Sequence, residues 1–204
     1  MAEYYYAVKV GRKVGIYNTW SECEAQVKGY SGAVYKKFTT HKEALKFIGE
    51  EREPVADVNI SSLKDREMVA YVDGSFDQDS GYYSYGVIIF TEDGKYEISH
   101  KEKDEDMKDM RNVAGEIRGA MVAMEEALKR GKNILYLYYD YMGIEKWASG
   151  EWKTNKYGTK MYKEYYDSIR DRLQVVFKKV TAHSGNEYNE KADSLAKKAL
   201  GKYI

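Results

Sequence analysis

Cysteine and proline are nearly absent from this chain: one of each, Cys23 and Pro54, among 204 residues. A lone cysteine cannot close an internal disulfide, which excludes a disulfide-stapled fold and leads one to expect a protein of the reducing cytoplasm. No stretch approaches the roughly 18 consecutive apolar residues of a membrane span. The opening MAEYYYAVKV lacks the basic-then-apolar layout of a signal peptide. A membrane partner is therefore not expected. Net charge is missing as well, with 33 basic residues balanced by 33 acidic ones. Taken as a total, that argues against nucleic-acid binding, which usually goes with a basic excess.

What is present is enough for a packed core. Apolar residues make up 43% of the chain, and the length suits one ordinary domain plus a small one. The charge is unevenly distributed. Residues 1–48 hold eight basic side chains against four acidic ones, a surplus of four, so the remainder carries an equal acidic surplus. Tyrosine is abundant, at 21 copies, and aromatic side chains suit pleated, half-buried surfaces.

The chain reads as two modules with a joint. In the first, YYAVKV is a strand, GRKVG a turn and Ile16-Tyr17 a second strand. Thr19 is placed to cap a helix from Trp20 to Lys28 that Gly29 stops, AVYKKF is a third strand, and Thr40 caps a closing helix. Residues 50–66, with the proline, clustered charge and little periodicity, read as a linker. The second module opens with MVAYVDGSF and YYSYGVIIF, followed by a strand after an Asp93-Gly94 hairpin turn. Apolar residues at helical spacing mark 113–130, and NILYLYY reads as a buried central strand. Two helices, the strand VVFKKV and a last helix complete the order βββαβααβα. The expected fold is α/β: a mixed five-stranded sheet flanked by helices over 67–204, preceded by a small three-stranded α+β domain over 1–49.

Four acids stand out by position. Asp73 follows VAYV where a hydrophobic strand is about to turn, and Asp140 ends the strongest apolar strand. Glu116 lies on an amphipathic helix between Val113 and Ile117, and Asp193 sits beside Ala192 and Leu195 on the last helix. Any one of them alone is an ordinary turn or solvent-facing acid. Held together near a core, they need a compensating charge, because clustered carboxylates oppose one another's ionisation. A hard divalent cation meets that need, and an oxygen-only donor set favours Mg²⁺ or Mn²⁺ over zinc. If their strands are neighbours, Asp73 and Asp140 meet.

The segments VAYVDGSF, RNVAGEIRGAM, LYYDYMGIEKW and TAHSGNEYNEKADSLA resemble the four motifs of type 1 ribonuclease H, over roughly residues 67–200. The resemblance implies that Asp73, Glu116, Asp140 and Asp193 bind two Mg²⁺ ions, with Mn²⁺ able to substitute. It implies that His183 assists proton transfer or product release, that Asn189 supports the site, and that Asn112 touches the minor groove. The implied reaction is cleavage of the RNA strand of an RNA–DNA hybrid, leaving 3′-hydroxyl and 5′-phosphate ends. Residues 4–48 are similar to the family's N-terminal hybrid-binding domain, also seen in viroplasmin-like proteins. There Tyr6, Trp20 and Tyr35 match aromatic positions that stack on sugars, and Lys36 and Lys37 match a basic pair at the phosphates. Trp20 and Tyr35 could instead be the core of a very small domain.

Two departures accompany the resemblance. Tyr141 follows Asp140 where a small residue is common, and EWKTNKYGTKMYKEYY is too short for the extra helix and basic loop of some members. A hybrid or double-stranded RNA binder without catalysis and an integrase-like enzyme are the competing readings. The intact acid set argues against the first, and the His183 block with the N-terminal module against the second. A monomer is expected.

Overall fold

The computed structural model describes residues 4–48, 58–181 and 186–202, which fall into two compact units divided between residues 57 and 58. In the first unit, β1 (Tyr5–Val10) is the middle strand of an antiparallel sheet, between β2 (Gly15–Tyr17) and β3 (Val34–Phe38). Helix α1 (Trp20–Val27) begins at a reciprocal cap: the Thr19 hydroxyl accepts from the Glu22 amide at 3.3 Å, and Glu22 accepts from the Thr19 amide at 3.1 Å. Its inner face places Cys23 and Val27 on Val8, the core of this unit on the α1 side of the sheet. Helix α2 (His41–Ile48) packs against β1 on the other side, with Phe47 5.4 Å from Phe38. Cys23 is fully buried, and burial pushes its thiol up, so it serves packing.

The second unit is built on β4 (Glu67–Phe76), β5 (Tyr83–Thr91), β6 (Gly94–Glu102), β7 (Ile134–Tyr139) and β8 (Gln174–Lys179), in the order β6-β5-β4-β7-β8. β4 pairs antiparallel with β5 and parallel with β7, so it is the centre of a mixed sheet. Alternation along β4 assigns its two faces. Met68, Ala70 and Val72 pack with Ile117, Ala120 and Met124 of α3 (Asn112–Lys129). Val69 and Tyr71 pack with Ile88, Phe90 and Tyr138, against Ala192 of α6 (Glu187–Ala199). Helices α4 (Gly143–Ala148) and α5 (Tyr157–Ile169) complete the unit, and Tyr162 of α5 donates to the Ile144 carbonyl of α4 at 3.0 Å. The three-stranded and mixed five-stranded sheets agree with the sequence reading. Among the described residues no helix is long and apolar enough to cross a membrane.

Residues 58–66, read in the sequence as part of a linker over 50–66, make contacts with the second unit. Val58, Ile60 and Leu63 pack on the α6 side of the sheet, and the Val58 amide donates to the Tyr138 hydroxyl at 3.3 Å. The buried Lys132 ammonium donates to the Asp65 carbonyl at 2.5 Å while pairing with Glu92. Three apolar residues spaced irregularly among polar ones carry no periodic signal, so the packing was invisible in the sequence. Residues 49–57 lie outside those described.

Candidate active site

Asp73 lies on β4 and Asp140 directly follows β7. The parallel register pairs Tyr71 with Tyr138, so two residues further along each strand the carboxylates of Asp73 and Asp140 meet. Glu116 arrives from α3 because two glycines remove what would hold the helix off. A Cβ on Gly74 would overlap the Glu116 nitrogen and the Asn112 carbonyl, and one on Gly115 would lie 2.9 Å from the Gly74 Cα. Asp193 arrives from α6 by a similar device. Asp73 pairs with Gly86 of β5, and a Cβ on Gly86 would lie 2.8 Å from the Ala196 nitrogen.

Carboxylate oxygens of Asp73, Glu116 and Asp140 all lie within 4.8 Å of one another. They sit in a cleft of about 430 Å³ that Asp193, Asn112, Asn189, Tyr141 and Lys197 also line. The electrostatic strain is large. Burial, then the neighbouring Asp140 and Asp193, push Asp73 up to about 7, although the Gly74 amide donates to it at 2.7 Å. Burial and the charges of Asp73 and Asp140 raise Glu116 well above the usual carboxylate range. One oxygen of Glu116, Oε2, is buried with no hydrogen-bond partner among the described residues. Oxygen donors alone, crowded charge and an orphaned carboxylate oxygen fit a divalent cation of the hard class.

Asp193 lies in the same cleft but stands apart from the close trio. Its Oδ2 accepts from Lys197 at 2.7 Å, one helical turn further along α6. Asn189 is buried, and its side-chain oxygen also lacks a partner; Asn112 is exposed at the cleft. His183 falls outside the described residues. Lys197, Gly74, Gly115 and Gly86 were not picked out from the sequence. The four-residue spacing of Asp193 and Lys197 is a helical ion-pair signal that could have found the lysine.

In the first unit, half-buried Tyr6 and exposed Trp20 and Tyr35 form one aromatic row, with centroids 5.8 Å and 5.7 Å apart. Trp20 and Tyr35 are 43% and 46% exposed, which decides against their being the domain's core. Lys37 joins this row, its ammonium 3.4 Å from the Tyr4 ring centroid and 5.8 Å from that of Tyr6. Lys36 does not. Strand alternation turns it to the α2 side, where it lies 5.4 Å from the Phe38 ring.

Fold and cleft together define a class, a ribonuclease H-like architecture with a carboxylate cluster able to hold a metal. The family model described as RNase H matches residues 65–201, and that described as Ribonuclease H1 N-terminal domain matches residues 4–48. The chain is similar to Ribonuclease H1 of Homo sapiens, 27% identical over 95% of this chain and 88% of the human protein. It is also similar to Ribonuclease H of Wolbachia pipientis, 33% identical over 68% of this chain and 98% of that protein. Ribonuclease H of Saccharomyces cerevisiae is 56% identical over 46 residues, which span 22% of this chain and 13% of the yeast protein. Among solved structures, RNase H1 of Halobacterium salinarum superposes with a TM-score of 0.55 at 23% identity, over 66% of this chain and 98% of its own. The chain belongs to the RNase H family and is a ribonuclease H enzyme.

Proposed function

We propose that the protein hydrolyses the RNA strand of RNA–DNA hybrids with two Mg²⁺ ions, Mn²⁺ being able to replace them, and leaves 3′-hydroxyl and 5′-phosphate ends. The observation that carries this reading is the trio Asp73, Glu116 and Asp140, with oxygens within 4.8 Å in a cleft of about 430 Å³. LC11-RNase H1, which shares the fold with a TM-score of 0.52 at 19% identity, was solved in complex with an RNA/DNA hybrid. Asp73, Glu116, Asp140 and Asp193 would hold the ions, which when bound supply an activated water and charge neutralisation at the leaving oxygen.

The chain's own side chains do the rest. Lys197 holds Asp193 at the cleft, and the fixed glycine contact keeps Glu116 on Asp73. Asn112, exposed at the start of α3, faces the groove as a neutral hydrogen-bonding group, and Asn189 backs the carboxylates from α6. His183 is the candidate for moving a proton late in the cycle, a task to which histidine is chemically suited. Tyr6, Trp20, Tyr35 and Lys37 offer aromatic faces beside a cation, which suits a backbone without sequence preference. The protein acts as a monomer in the cytoplasm, with which its single buried, unpaired cysteine is consistent.

A labelled hybrid, duplex RNA, duplex DNA and single-stranded RNA, each incubated with purified protein and Mg²⁺, test the reading. Internal cuts confined to the RNA of the hybrid are expected. Equal cutting of all four, or none of any, would overturn it.

A further inference from the structure

Tyr141 stands where the chain leaves β7, one residue beyond Asp140, and lines the cleft with Asp140, Glu116 and Asn112. Two contacts fix its ring. Gly143 presents bare backbone to it, since a Cβ there would overlap the ring's Cε1. Trp147, itself buried, lies 5.7 Å away between centroids at 48°. The helix carrying both contacts is anchored in turn by the Tyr162 bond to Ile144 and by the Tyr139 hydroxyl, which donates to Glu145 at 2.6 Å. A large, preorganised aromatic thus lines the cleft that holds the carboxylates.

Its hydroxyl has no hydrogen-bond partner among the described residues. Tyr17, Tyr83, Tyr136, Tyr139 and Tyr162 all donate theirs to protein oxygens. A ring held rigidly at the cleft with its hydroxyl unpaired is placed to meet a group that arrives there. That visitor is close to Asp140, because consecutive Cα atoms are about 3.8 Å apart. If a scissile phosphate sits on the carboxylates, the group within reach of the next residue is a sugar bonded to that phosphate. A ribose differs from a deoxyribose by a 2′-hydroxyl that both donates and accepts, as a phenol does, whereas carboxylates holding metal ions would only accept.

We propose that Tyr141 is a ribose-selecting residue: its hydroxyl pairs with the 2′-hydroxyl of a nucleotide adjoining the scissile phosphate, while its ring holds that sugar in register. This rests on the RNA strand being the one cut. A deoxyribose at that position would leave the phenol unpaired, which is how a polar site rejects an analogue that lacks one group.

The test compares wild type, Tyr141→Phe and Tyr141→Ser on hybrids in which single ribonucleotides around one cut are replaced by 2′-deoxy or 2′-fluoro nucleotides. Tyr141→Phe keeps the ring and its packing, and melting curves confirm folding of both variants. In wild type, one flanking position should show a deoxy penalty of about tenfold or more in kcat/KM. In Tyr141→Phe the all-RNA hybrid should be cut about tenfold more slowly, with the deoxy penalty abolished at that position alone. Tyr141→Ser should lose the same penalty. A residue that merely packs would leave the positional penalties as in wild type, and that result overturns the proposal. Wild type that leaves the all-RNA hybrid uncut would instead remove the nuclease reading on which it stands.

Discussion

The Cα of Gly74 lies 2.9 Å from where a side chain on Gly115 would begin, so the central strand and helix α3 meet backbone to backbone. This contact delivers Glu116 to Asp73. Gly115→Ala is expected to force strand and helix apart, lowering stability by roughly 1–3 kcal/mol in urea unfolding. Because a small displacement of a reacting group lowers rate steeply, cleavage should fall by about a hundredfold. A variant with wild-type stability and activity would show that the contact does not position the acid.

The same crowding makes the metal-free protein sensitive to pH. Asp73 ionises near 3.8 in an unfolded chain and at about 7 in the fold. Between those values the folded state keeps a proton that the unfolded chain has released, so stability falls as the pH rises. Burial and neighbouring charge give Glu116 the same sign. With chelator present, on the order of 4 kcal/mol should be lost between about pH 4 and about pH 8. Asp73→Asn should flatten the curve and be the more stable protein at neutral pH, and added Mg²⁺ should restore the wild type. Denaturation midpoints across that range are the measurement. Metal-free wild type that gains stability on the way up would contradict the electrostatic account.

Asp140 separates chemistry from binding. It closes the trio from β7 yet is not one of the exposed aromatic and basic groups of the first unit. Asp140→Asn should reduce cleavage by three orders of magnitude or more, while hybrid affinity in Ca²⁺ stays within about threefold, since removing a charge that acts on the reacting centre spares uniform binding. The chelator-treated variant should also be the more stable one at neutral pH, because one source of repulsion on Asp73 is gone.

Much of this was legible because it depends on period and position. The apolar runs MVAYV and NILYLYY marked two strands, and the residues that follow those runs include Asp73 and Asp140. That the two acids meet required the strands to be neighbours, which β4 and β7 are. What escaped were properties of close approach. Gly74 read as a turn about to end its strand, yet β4 runs through it to Phe76 with a helix lying on it. Gly86 read as an ordinary strand residue, and Lys197 as one more surface lysine until it was found on Asp193. Residues 58–66 escaped for the opposite reason, since their three apolar side chains fit no repeat. The resemblance, in turn, grouped Lys36 with Lys37, while strand alternation turns them to opposite faces.

That separation is testable. Lys37 sits with Tyr4 and Tyr6, whereas Lys36 lies by Phe38 on the α2 side. If the aromatic row carries the backbone of the hybrid, Lys37→Ala should weaken binding and reduce the salt slope of affinity by about one, and Lys36→Ala should change neither appreciably. Trp20→Ala should lose about 1–3 kcal/mol of affinity with little effect on stability, since its ring is exposed. Equal effects from both lysines would mean that nucleic acid contacts more than one face of the small sheet.

The position of the boundary decides what a truncation removes. Deleting residues 1–57 takes away the aromatic row and leaves Val58, Ile60 and Leu63 on the sheet, with the Asp65 carbonyl still accepting from Lys132. That protein should keep near-wild-type stability and its cleavage of hybrid, with weaker affinity and a shallower salt dependence. Deleting residues 1–66 strips apolar cover from Tyr138 and leaves a buried ammonium short of one acceptor. Its stability should fall by roughly 2–5 kcal/mol, from lost apolar burial and an unmet donor together. Urea unfolding of the two truncations side by side distinguishes the cases. If they unfold at the same midpoint, residues 58–66 add nothing to the catalytic unit and behave as the linker that their composition first suggested.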